Sequence, residues 1–160
     1  MKKQLVSIII TTKNEENNID RLFKSISQQT YPNIEVILVD NYSIDNTIKI
    51  ANQYTHKIFI YGPERSAQRN YGATKARGKY LLFLDADMEL PNKIIYECVN
   101  LISSSLIVAV IIPEDIKGNS FYQRVKRLEK RIYWYDTTIE AARFFKANIF
   151  KKIGGYNKKL

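Results

Sequence analysis

Asp85-Ala86-Asp87 follows directly on the apolar run Tyr80–Leu84. Two carboxylates at the end of such a run form a hard oxygen site, suited to Mg²⁺ or Mn²⁺. A divalent ion held there would neutralise a diphosphate and stabilise it as a leaving group. Taken alone, the tripeptide also reads as an acidic pair that caps the following helix. Two more polar clusters end apolar runs in the same way, Thr11–Glu15 and Asp40–Asp45. Asp45 is expected to cap a helix rather than do chemistry. Gly72 and Gly78 are expected to serve close packing and a helix stop, since no GxGxxG or P-loop spacing is present. His56 has no Cys, His or carboxylate at ligand spacing and reads as a surface residue. Cys98 lies among Ile94, Ile95 and Leu101 and reads as a small buried hydrophobe.

The elements that must position these residues follow from apolar periodicity. Leu5–Ile10, Ile34–Val39, Lys57–Tyr61 and Tyr80–Leu84 are short apolar runs of the kind buried in a parallel sheet. Between them, Asn17–Gln29, Asp45 to about Gln53 and Ser66–Ala76 carry helical spacing, and Pro91 opens a helix reaching about Leu101. Strand and helix alternate four times, which predicts an α/β fold with a mostly parallel sheet flanked by helices. In such sheets ligands bind at the carboxyl ends of the strands, where all three polar clusters fall. Past residue 105 the spacing predicts a strand over Leu106–Ile112 and a basic, aromatic helix over Ser120–Tyr135. An edge strand over Ile139–Phe145 and a short helix over Ile149–Lys152 complete the expected set.

The chain has 160 residues and 18.7 kDa, with 45% apolar and 26% charged residues, the composition of one globular domain with its own core. The net charge of +9 is unevenly placed. Residues 1–116 hold 13 Lys/Arg and 13 Asp/Glu, whereas residues 117–160 hold 12 against 3. A local encounter with an anionic partner fits that distribution better than general basicity does. One cysteine excludes an internal disulfide framework and suits a reducing compartment. The longest unbroken apolar run, Leu106–Ile112, is far shorter than the roughly 20 residues of a spanning helix.

Four stretches, in order, resemble the family 2 glycosyltransferases. They are Val6-Ser7-Ile8-Ile9-Ile10-Thr11-Thr12-Lys13-Asn14-Glu15-Glu16, Ser27 to Asn33, Glu35 to Thr47, and Arg69-Asn70-Tyr71-Gly72-Ala73 running on to Asp87. Gly154-Gly155-Tyr156-Asn157 looks like a later landmark of the family. The resemblance implies a single GT-A domain, Rossmann-like, with residues 1–104 as a nucleotide-sugar-binding half and 105–160 as part of an acceptor half. It implies transfer of a sugar, with inversion, from a UDP- or GDP-sugar to an acceptor hydroxyl or lipid phosphate, assisted by Mg²⁺ or Mn²⁺. By position, Thr11, Thr12 and Glu15 match the first nucleotide-binding loop, and Asp40 and Asn41 match the pair that contacts base and ribose. Arg69 matches a basic position near the nucleotide, and Asp85 and Asp87 match the DxD motif that holds metal and donor, with Asp87 as the direct metal ligand and Asp85 nearer the ribose. Two departures stand out: Thr11 and Lys13 replace the usual Pro and aromatic, and Asn41 replaces an acid.

The resemblance also places the general base in an acidic motif beyond the GG(F/Y)(D/N) landmark. The chain ends at Leu160 and no Asp or Glu follows Glu140, so the base is expected beyond Leu160 and the chain is expected to be truncated. Asp136 and Glu140 are weak substitutes. A non-catalytic nucleotide-sugar-binding module is the alternative reading. The basic segment 121–135, with Arg124, Lys126, Arg127, Lys130 and Arg131 before Tyr133-Trp134-Tyr135, fits either a solvated helix face or peripheral contact with an anionic membrane carrying a glycan or lipid-linked acceptor. Arg143 and Lys146 could instead face the donor pyrophosphate. No zinc-finger spacing or RNP-like motif supports a nucleic-acid partner. The expected location is the cytoplasm, at the cytoplasmic membrane face if the basic segment docks there.

Overall fold

Val6–Thr12 forms strand β1, whose seven residues are all buried because helices cover both of its faces. Alternate side chains go opposite ways, as a pleated strand requires. Val6, Ile8 and Ile10 enter one core, while Ile9 enters the other. The computed structural model describes residues 3–103, 106–113, 115 and 141–157. Within them, β1 lies between β2 (Ile34–Asp40) and β4 (Tyr80–Asp85), and β3 (Ile58–Ile60) flanks β2, all four being parallel. Beyond β4 come β6 (Phe144–Lys146) and then β5 (Ala109–Val110), both antiparallel pairings, giving the order β3-β2-β1-β4-β6-β5.

Helices α1 (Ile19–Ser27), α2 (Thr47–Ala51) and α4 (Ile94–Ser103) contribute to the first core. Ile19, Leu22, Phe23 and Ile26 give α1 one apolar face, and Ile95, Cys98, Val99 and Ile102 do the same for α4. Helices α3 (Arg65–Lys75) and α5 (Ala147–Lys152) cover the opposite face through Ala73, Ala147 and Phe150. Gly72 lets α3 approach the sheet, since a Cβ there would stand 2.5 Å from Ile9 Cγ2. The mostly parallel α/β sheet flanked by helices is therefore the observed architecture. Among the described residues no helix is long and apolar enough to cross a membrane.

Four expectations are corrected. The strand expected at an edge over Ile139–Phe145 is an inner strand, paired on both sides. Phe144 stacks on Tyr80 and Phe145 meets Phe83 edge-on, so its two faces enter different cores and solvent cannot line it. The strand expected over Leu106–Ile112 reduces to Ala109–Val110, because only those residues find partners on β6. The cap position of α2 is Asn46, although the Asp45 carboxylate does take the Thr47 N–H at 3.0 Å. Gly78 does not stop α3, which ends at Lys75 with Ala76 extended. Instead Gly78 allows close approach, its Cβ position being 2.5 Å from Ser7 Oγ. His56 is exposed and Cys98 buried, as expected. The basic segment 121–135, Asp136 and Glu140 lie outside the described residues.

Candidate functional site

Parallel pairing sets the first contacts of the site. In register, Thr11 lies opposite Asp85 and Thr12 opposite Asp40. Both pairs sit at the carboxyl ends of β1, β2 and β4, where backbone leaves the sheet and side chains become available to a ligand.

At the β4 end, Asp85 is held by two guanidinium groups. Arg69, from α3, donates from Nη2 to one carboxylate oxygen at 2.7 Å, and Arg143, just before β6, donates to the other at 3.3 Å. The side chains are 13% exposed for Asp85 and 17% for each arginine. Burial pushes the Asp85 carboxyl up, but the charges of Arg69 and Arg143 outweigh it and hold the group below its ordinary value. The Arg69 guanidinium also lies 5.4 Å from the Tyr156 ring centre, and its Nε is buried with no hydrogen-bond partner among the described residues. Asp87, two residues on, is exposed. Its carbonyl accepts from Arg21 at 3.3 Å, while its carboxylate has no partner among the described residues.

At the β2 end, Asp40 is fully buried and turned inward. It accepts from Thr12 Oγ1 at 2.8 Å, from Ser43 Oγ at 2.6 Å and from Ser43 N–H at 2.7 Å. Asn41 donates its backbone N–H to the Thr12 carbonyl and its side-chain amide to the Pro63 carbonyl, both at 2.9 Å. Its Oδ1 faces Gly62, where a Cβ would stand 2.6 Å away. Asn14 joins the loops, accepting from Ile44 N–H at 2.9 Å while its own N–H donates to Ser43 Oγ at 2.7 Å. Glu15 is half-buried at the start of α1, its carboxylate accepting from Asn18 at 2.9 Å and its N–H donating to Thr47 Oγ1 at 2.7 Å.

The structure thus gathers Thr11, Asp85, Arg69 and Arg143 into one cluster and Thr12, Asp40 and Asn41 into a neighbouring one. Glu15 serves the loop that frames them. Sequence reasoning missed Gln68, which is buried and donates to the Thr12 and Val39 carbonyls at 3.2 and 2.8 Å. It ties α3 to the ends of β1 and β2, and nothing in its spacing marks it. It also missed the reciprocal pair Asn70–Tyr156, with both bonds at 2.8 Å. Gly155 permits that contact, since its φ is +78° and a Cβ would stand 2.4 Å from Asn70 Oδ1. The signal was available, because Arg69-Asn70 and Gly154-Gly155-Tyr156 are both landmarks of the resemblance. A groove of about 1090 Å³, bordered by Lys3, Tyr31, Lys79 and Tyr96, opens at the other end of the strands and is separate from this site.

Among the described residues no three His, Cys, Asp or Glu side chains converge as a self-contained metal cage. The donor set is one open carboxylate, Asp87, beside an arginine-bound one. That set fits a hard divalent ion that takes its remaining oxygens from a ligand or water, as Mg²⁺ does at phosphate sites.

Comparison with known proteins places this geometry in context. The sequence model of the family described as glycosyl transferase family 2 matches residues 7–157. A Haemophilus influenzae protein described as an uncharacterized glycosyltransferase is 38% identical over 101 residues, covering 58% of this chain and 40% of that protein. An Escherichia coli UDP-Glc:alpha-D-GlcNAc-diphosphoundecaprenol beta-1,3-glucosyltransferase is 37% identical over 89 residues, covering 52% and 36%. The fold also matches a mannosyltransferase from Pyrobaculum calidifontis solved with GDP-Man and Mn²⁺, with a TM-score of 0.74 at 21% identity, over 98% of this chain and 48% of that one. The chain spans about two fifths of the length of these two curated relatives.

Proposed function

The chain belongs to glycosyl transferase family 2, and on that premise we propose that it binds a UDP- or GDP-sugar at the β1, β2 and β4 ends and takes part in inverting sugar transfer to an acceptor hydroxyl or lipid phosphate. The observation that carries this reading is the Arg69–Asp85–Arg143 cluster beside the open Asp87 carboxylate. Two guanidinium and two carboxylate charges cancel, so these four groups leave nothing to balance the two negative charges of a diphosphate. A divalent ion, Mg²⁺ or Mn²⁺, supplies that balance and polarises the leaving group when it is bound. Asp87 is its ligand in this reading, with Asp85 close by.

Asp85 keeps the two arginines oriented, with their guanidinium groups turned to the carboxyl end of β4 where phosphate oxygens would bind. Asp40 shapes the nucleoside slot through Thr12 and Ser43, while Asn41 presents a fixed amide and Thr11 and Glu15 complete the loop. The acceptor hydroxyl attacks the anomeric carbon in line and its proton passes to a base. We place that base outside the described residues, because Asp85 and Asp87 already have other roles. The glucosyltransferase relative acts on a diphosphoundecaprenol-linked sugar by its name, which supports a lipid-linked acceptor here. The basic residues between 121 and 135 are the proposed contact with an anionic membrane at its cytoplasmic face.

Calorimetric titration of UDP, GDP and their sugars, with and without Mn²⁺, tests this reading. Metal-dependent binding that Asp87→Ala abolishes is the expected result, and unchanged binding in that variant overturns the metal assignment. Metal-dependent binding without transfer or hydrolysis would favour the second reading, a non-catalytic binding module.

A further inference from the structure

Tyr42 stands in the left-handed region, with φ of +53°, a conformation in which a bulky side chain is an outlier. Its neighbours force it there. Asn41 is fixed by its bonds to the Thr12 and Pro63 carbonyls. Ser43 is fixed by two bonds to the buried Asp40 carboxylate, and Ile44 by one to Asn14. A chain pinned on both sides must turn between the pins, and glycine would make that turn at least cost. Tyrosine gains little burial in exchange, since the residue is 68% exposed. The edge of its ring lies over Gly62, with Cε2 3.6 Å from where a Cβ on that glycine would stand. Strain kept without burial, on a loop at the ligand end of a parallel sheet, points to a residue that meets a ligand.

We propose that the Tyr42 ring is the stacking face for the donor nucleobase, forming an aromatic wall next to the Asn41 amide. This rests on the donor-site reading above and adds to it the residue that holds the base. An aromatic face stacks on any planar base. A fixed amide reads hydrogen-bonding groups on the base edge. Tyr42 therefore supplies affinity without choosing among bases, and Asn41 supplies the choice.

The test titrates UDP and GDP, with Mn²⁺, into the unaltered protein and into Tyr42→Phe, Tyr42→Ala and Tyr42→Gly, each also melted thermally. Tyr42→Ala and Tyr42→Gly are expected to weaken both nucleotides about tenfold or more. Tyr42→Phe should stay within about twofold, since the ring and not the hydroxyl stacks. Tyr42→Gly should melt about 2 °C above Tyr42→Ala, because glycine relieves the left-handed strain. In Tyr42→Trp, a base that stacks on residue 42 should quench the new indole's emission. If the unaltered protein binds nucleotide and Tyr42→Ala binds it equally well, the stacking role is overturned while the donor site stands. Loss in Tyr42→Phe as deep as in Tyr42→Ala, or no quenching in Tyr42→Trp, overturns it too. Failure of the unaltered protein to bind either nucleotide overturns the donor-site reading itself.

Discussion

Asp85 and Asp87 are two residues apart, yet their surroundings assign them different work. Asp85 is nearly enclosed between Arg69 and Arg143, and its charge is what keeps two guanidinium groups together. Replacing it by Asn leaves both cations facing an amide. Asp85→Asn should therefore lose about 2–4 kcal/mol of stability in urea unfolding and lose nucleotide binding with it. Asp87 is exposed and its carboxylate has no described partner, so Asp87→Ala should unfold within about 0.5 kcal/mol of the unaltered protein. Its nucleotide binding should nevertheless lose its response to Mn²⁺. Equal stability of the two variants would show that the arginine cluster does not hold the fold at this point. Asp40 makes a third case. Truncation to Ala strands the buried Thr12 hydroxyl and leaves both half-buried donors of Ser43 without their acceptor, at an expected cost of about 1–3 kcal/mol.

At the scale of elements, the strands decide which residues meet. The Thr11–Asp85 and Thr12–Asp40 pairs exist because β1 pairs in register with β4 and β2, and a one-residue slip would turn every side chain of β1 to the wrong face. Helix α3 adds Arg69 and Gln68 only because it lies close against the sheet at Gly72. Gly72→Ala should accordingly destabilise the protein by about 1–3 kcal/mol in urea unfolding, despite the better helix propensity of alanine. The new methyl would meet the stiff, buried Ile9 and Val39 side chains, 2.5 and 3.1 Å from its position. Unchanged or increased stability would show that α3 can retreat freely. Strands β1 to β4 and helices α1 and α3 were legible in the sequence because their apolar spacing is local. The inner position of β6 was not. Phe144 and Phe145 bury on opposite faces only once β6 pairs with β4, some sixty residues away in the chain. Nor was Gln68, whose burial depends on two carbonyls from different strands.

For the molecule as a whole, the end of the sheet opposite the site is tied by one acid. Glu35 accepts from Ser7 Oγ at 2.5 Å and from Arg77 N–H at 2.7 Å, and pairs with Lys57. Burial alone would raise its carboxyl, but Lys57, Ser7 and the Arg77 N–H together lower it from 4.5 to about 2. A carboxyl whose folded value is depressed adds stability above its unfolded value and loses it as pH falls through the folded one. Glu35 should thus contribute about 3 kcal/mol at neutral pH, lost between roughly pH 5 and pH 2. Asp85 is lowered too and acts in the same direction. Urea unfolding across that range should show a steep acid decline that Glu35→Gln flattens. An equal slope in that variant would exclude the Glu35 network as its source. Neutralising Arg124, Lys126, Arg127, Lys130 and Arg131 should weaken binding to anionic vesicles, whereas retained binding would reduce their charge to solvation.

The sequence by itself determined the alternation of strands and helices, the loops in which polar residues cluster, and the family to which those clusters belong. Each is written in local order: apolar periodicity, a carboxylate pair after a strand, a run of motif residues. Tertiary structure alone decided which of those residues face one another. It set Arg69 and Arg143 on the two oxygens of Asp85, turned Asp40 inward, left Asp87 open and held Tyr42 in a left-handed turn. Those outcomes depend on sheet register and on burial, which join residues far apart in the chain. A carboxylate's identity can be read from the sequence, but the charges and water around it exist only after the chain has folded.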